Sequence, residues 1–100
     1  MFGKILNVDG ITAVVEIHKE NMVVPNLMNL HVVFENAEQR LLGEVKKVTE
    51  EVVYIDLMGQ FTTDRFIAGT IKKPTLDSVV RVINDQELDV ILGSNKGGHL

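Results

Sequence analysis

The chain has 100 residues, 45% of them hydrophobic and 24% charged, a size and balance that allow one globular domain and exclude both a second domain and intrinsic disorder. Its net charge of −4, with 10 basic against 14 acidic side chains spread evenly over the two halves, excludes the concentrated positive field of a phosphate-gripping arm. It has no Cys, so disulfide scaffolds, thiolate metal sites and thiol catalysis are excluded as well, and a cytoplasmic location is expected. No apolar run approaches the ~20 residues of a membrane span, and no signal-peptide core is read at the N-terminus.

Residues 2–8 predict a first strand, and Asp9-Gly10 a tight hairpin turn. Residues 11–18 alternate with period two, placing Ile11, Ala13, Val15 and Ile17 on one face. Residues 19–29 break the pattern: Pro25 cannot donate to a ladder, and Asn21, Asn26 and Asn29 accompany it. Alternation resumes over 30–35, with Leu30, Val32 and Phe34 on one side. A polar turn at 36–39 leads into a strand over 40–48, in which Gly43 marks a bulge or bend. After a turn at Thr49-Glu50, residues 51–57 predict a strand with Val53, Ile55 and Leu57 on one face, ended by Met58-Gly59-Gln60. Residues 61–65 read as a loop, 66–71 as a short strand, and 79–83 as a further extended piece. Pro74 holds Lys73 extended between the last two.

One helix is predicted, over 85–92. Asn84 is its N-cap, Glu87 completes a capping box, and Asp85 and Glu87 suit the positive end of the dipole. Leu88, Ile91 and Leu92 have i, i+3, i+4 spacing, and Gly93 is placed to end the helix. These elements predict a mainly β fold: a small closed or nearly closed antiparallel β-barrel of about six strands with a short C-terminal helix. Gly43, Gly59 and Gly69 stand where such a barrel turns corners.

Several segments together resemble a known family. The opening Gly3-Lys4-Ile5-Leu6-Asn7-Val8-Asp9-Gly10 is similar to the N-terminal barrel of rotary ATP synthase α and β subunits. Leu42-Gly43-Glu44-Val45, Phe66-Ile67-Ala68-Gly69-Thr70, Lys73-Pro74-Thr75-Leu76-Asp77-Ser78-Val79, Glu87-Leu88 and Ile91-Leu92-Gly93 resemble the HAS-barrel that stands N-terminal in HerA-like hexameric DNA-translocating ATPases. The resemblance implies a barrel domain over 1–93 and a tail over 94–100 leading toward an ATPase core that this sequence does not contain. It further implies a non-catalytic assembly and docking module. Its partners would be neighbouring subunits of a homo-oligomeric, hexameric ring and a partner nuclease or other effector. ATP and Mg²⁺ are implied only for the missing core, and DNA contact only through that core. The rival expectation is a stand-alone barrel that binds nucleic acid, although five aromatics and an acidic balance give it little to stack or grip with.

No catalytic, cofactor or metal set is read. His18, His31 and His99 lack ligand spacing. The tail from Gly93 to Gly98 has phosphate-loop spacing, but His99 and Leu100 stand where Lys and Ser or Thr are needed. The candidate interface residues are Met22, Val23, Val24, Leu27 and Met28, an apolar Met-containing loop, and the pair Phe61 and Phe66. The loop has two readings: a docking surface, or a plug over one end of the barrel.

Overall fold

A computed structural model describes residues 2–18, 27–63, 65–69 and 72–96. Its strands are β1 Phe2–Asp9, β2 Thr12–Ile17, β3 His31–Glu35, β4 Arg40–Val48, β5 Val52–Phe61, β6 Phe66–Ala68 and β7 Val79–Val82, followed by the helix α1 Asp85–Lys96. Six strands follow the order β1-β2-β5-β4-β3-β7, all antiparallel. The short β6 pairs with the C-terminal end of β5, along the stretch that β2 leaves uncovered. The sheet curls until β1 lies against β7. Among the described residues no ladder joins those two edges, so the mainly β architecture is a half-barrel.

The interior follows from period-two alternation. Ala13, Val15 and Ile17 of β2, Val32 and Phe34 of β3, and Val53, Ile55 and Leu57 of β5 all point inward and are buried. Ile11 departs from the expected face. It sits in the β1–β2 turn and is exposed, while its carbonyl accepts from the Leu57 N–H at 2.7 Å. Gly10, with φ of 61°, supplies the left-handed residue of that turn.

Two other expectations are corrected. β5 does not stop at Leu57 but runs on to Phe61. Leu42 pairs with Gly59 and Gly43 with Leu57, so Met58 is an extra residue opposite the Leu42–Gly43 step. One inserted residue reverses the parity of everything after it, which brings Phe61 out on the convex face beside Leu42. The alternation breaks there without the strand ending. α1, likewise, does not end at Gly93 but continues to Lys96. Glycine in a helix costs only about 1 kcal/mol relative to Ala, and Gly93 has a φ on the ordinary negative side.

The convex face carries a second, smaller cluster. Val33, Leu42 and Phe61 are buried there beneath Val90 and Ile91 of α1, with Phe66 and Ile83 at the margins. The helix therefore presents Glu87, Val90 and Ile91 to the sheet, whereas Leu88 and Leu92 are exposed. The expected apolar stripe is rotated, because Glu87 and not Leu88 is drawn inward.

Candidate functional site

The segment before β7 is tied down by polar contacts. The Ser78 N–H donates to the Thr75 carbonyl at 3.0 Å, closing a turn. From the β3–β4 connection, the Asn36 amide donates to Thr75 Oγ1 at 3.0 Å and Gln39 Nε2 donates to the Lys73 carbonyl at 3.3 Å. Asn36 is itself held, because its Oδ1 accepts from the N–H groups of Glu38 and Gln39 at 2.7 and 2.9 Å. Pro74 and Ser78 are buried. What this frame leaves outward is Leu76 and Val79, 64% and 61% exposed, more than any other large apolar side chain described.

Both line a groove of about 510 Å³ along the β1–β7 seam, with Phe2, Val80 and Lys4. The far wall carries Glu16 and His18, whose Oε1 and Nε2 lie 3.6 Å apart. They cross β1 at Gly3, where a Cβ would come within 2.6 Å of both atoms. Removing that side chain is what lets the pair lie against the strand.

A second polar assembly lies under the first turn of α1. Glu87 is 2% exposed, and Arg81 of β7 donates from Nη1 and Nη2 to its two carboxylate oxygens at 2.7 Å each. Arg40 of β4 adds Nη1 at 3.1 Å, and the Asn84 N–H donates at 3.2 Å. The Glu87 N–H returns to Asn84 Oδ1 at 2.8 Å, so the expected capping box is formed. Arg81 also donates from Nε to Glu35 of β3 at 3.0 Å. The Arg81 hydrogen bonds hold the Glu87 carboxyl below the usual carboxylate range against the opposing effect of its burial. The same pairing raises the Arg81 guanidinium above its ordinary value. The Arg40 guanidinium lies 5.2 Å from the Phe61 ring centroid, joining this assembly to the convex-face cluster.

The candidate interface residues are dispersed. Met22, Val23 and Val24 lie outside the described residues. Leu27 is buried in the interior cluster, while Met28 beside it is exposed. Phe61 is buried and Phe66 half-buried, their centroids 5.3 Å apart and their planes tilted by 55°. Phe61 and Phe66 pack on each other in the convex-face cluster, and Leu27 packs in the interior one, so Leu27 and Phe61 are buried within this chain. His31 lies opposite Glu44 in the β3–β4 ladder, well apart in the sheet from the His18–Glu16 pair on β2. Among the described residues no three metal-ligating side chains converge. Residues 93–96 of the tail are helical, and 97–100 lie outside the described residues.

Leu76 and Val79 were not singled out from sequence. A signal was present in their position around a Pro- and Ser-marked turn, where apolar side chains have no alternating partner. The clamp on Glu87 had half a signal: the capping box is legible, its two arginines are not. No protein-family model matches the chain, and no curated protein is found similar to it.

Proposed function

We infer that this chain is a non-catalytic assembly and docking barrel of the kind found N-terminal in HerA-like ring ATPases, contributing to hexamer formation and to recruitment of a partner nuclease or other effector. One observation supports this reading above the rest. Leu76 and Val79 stand outward at the mouth of the seam groove, on the same 73–79 segment that carries the family resemblance. Single exposed apolar residues are ordinary on protein surfaces. Two large ones flanking the end of one braced turn, beside a groove lined in part by Phe2 and Val80, form a patch suited to a neighbouring subunit. In this reading ATP, Mg²⁺ and DNA belong to a core beyond this sequence.

Sedimentation velocity over a concentration series tests it. The wild-type chain is expected to self-associate. The Leu76→Ser/Val79→Ser variant is expected to sediment as a monomer with an unchanged melting temperature. A wild-type chain that is monomeric at every concentration overturns the reading.

A nucleic-acid-binding barrel is the second reading, and Lys47 supports it. The irregularity after Val45 sets Lys47 opposite Tyr54 on the convex face, with Nζ 5.3 Å from the ring centroid and Lys46 adjoining. A salt-dependent gel shift with single-stranded DNA, lost in Tyr54→Ala, would favour this reading.

A further inference from the structure

Among the described residues, α1 touches the half-barrel on one side only. The interior cluster of thirteen buried apolar residues includes no helix residue, whereas Val90 and Ile91 of α1 pack only on the convex-face cluster of Val33, Leu42 and Phe61. The two clusters share no residue and lie on opposite faces of the same sheet. A single connection, Ile83-Asn84, carries the chain from β7 into the helix. Detaching α1 would therefore leave every residue of the interior cluster in place.

Attachment concentrates in the first turn. Glu87 receives four hydrogen bonds, three of them from arginines on β4 and β7. Hydrogen bonds to charged groups are the strong ones, and a buried carboxylate deprived of them is expelled toward water. After Ile91, Leu92 and Gly93 are already exposed. Among the described side chains, the helix is held near its start and by one apolar turn beyond it.

We propose that α1 is a reversible cover over the Val33–Leu42–Phe61 strip, latched by Glu87, which opens while the half-barrel stays folded. Structures divide into cooperative units according to which contacts they share, and here the helix shares few with the main core. Opening uncovers an apolar strip on the convex face, with Arg40, Arg81 and Glu35 beside it. Glu87 is a positioning residue in this device: it acts through the two arginines and through Asn84. Its surroundings comprise Arg40 from β4, Arg81 from β7, Glu35 from β3 by way of Arg81, and Asp85 from its own helical turn.

Native-state hydrogen exchange of the unmodified chain, read by NMR across low urea concentrations, tests the cover directly. Amides of α1 are expected to exchange through an opening that depends weakly on urea, while β2 and β5 amides exchange only with global unfolding. Glu87→Gln is expected to speed α1 exchange by about tenfold or more, the scale of losing charge-assisted hydrogen bonds, and to leave β2 exchange unchanged. One shared urea dependence for α1, β2 and β5 would overturn the proposal. So would α1 exchange that is the same in Glu87→Gln as in wild type. A Glu87→Gln chain that does not fold overturns it equally, because the half-barrel would then depend on its latch.

Discussion

Thirteen described side chains fill the concave side of the sheet, all of them apolar, whereas three fill the patch beneath α1 and share it with a buried carboxylate. The first cluster draws on six strands and on the loop residue Leu27, so its cohesion is distributed and non-directional. The second relies on few contacts, and its most buried helix residue is held by hydrogen bonds of fixed geometry. One region should therefore respond to changes of volume and the other to changes of charge. That contrast is testable by perturbing each in its own terms.

The largest effect is expected inside. Phe34 has no measurable exposure, and its ring reaches the neighbourhood of Gly43, where an added Cβ would lie 3.0 Å from Phe34 Cε1. Phe34→Ala should cost about 3–5 kcal/mol, the range for large-to-small changes in packed cores. For a chain of this size that is a large share of total stability, so urea denaturation should show the variant unfolded or close to it. A loss below 1 kcal/mol would mean that the concave cluster is not the principal core.

Next comes the latch. Glu87→Gln keeps the shape but removes the charge, leaving Arg81 and Arg40 with a weaker acceptor; both arginines are partly exposed, so water takes up some of their demand. A loss of about 1–3 kcal/mol is expected by chemical denaturation. The pH dependence gives the sign independently. In the unfolded chain this carboxyl titrates in the ordinary carboxylate range. In the folded chain the Arg81 hydrogen bonds hold it lower, so between the two values the unfolded state binds more protons. Its stabilising contribution is thus complete above the ordinary carboxylate range and is lost as pH falls through the folded value. The stability difference between wild type and Glu87→Gln should shrink steadily below about pH 5. A difference that stays constant with pH would show that the clamp acts through packing alone.

Legibility from sequence followed the same division. β2, β3 and most of β4 and β5 could be read because an inward residue every second position is what a one-sided apolar core demands. Their curling into a nearly closed sheet was expected from the run of short strands, but their pairing partners were open, since those depend on contacts distant in sequence. The strand end at Leu57 was misread because a bulge and a terminus break alternation alike, and only the register opposite Leu42 and Gly43 separates them. The capping box was local and therefore legible. The inward turn of Glu87 was not, because it is set by Arg40, 47 residues away, and by Arg81 reaching across from β7. Spacing alone groups Leu88 with Ile91 and Leu92, although a carboxylate with two cations facing it takes that side of the helix.

The smallest expected effect lies on that rotated helix face. Leu88 and Leu92 are 40% and 43% exposed, one turn apart along α1. If Glu87, Val90 and Ile91 form the buried stripe, Leu88→Ser and Leu92→Ser lose little burial, and each should change stability by no more than about 0.5 kcal/mol. Ile91→Ser, on the packed stripe, should cost more, approaching the ~1.5–3 kcal/mol that full burial of such a side chain contributes. The ordering matters more than the values. Spacing by itself gives Leu88, Ile91 and Leu92 equal standing, whereas the clamp ranks Ile91 above both leucines. Thermal melts of the three single variants distinguish the two: a Leu88→Ser loss as large as that of Ile91→Ser would mean that the helix sits on the sheet by its apolar spacing, and that Glu87 does not set its rotation.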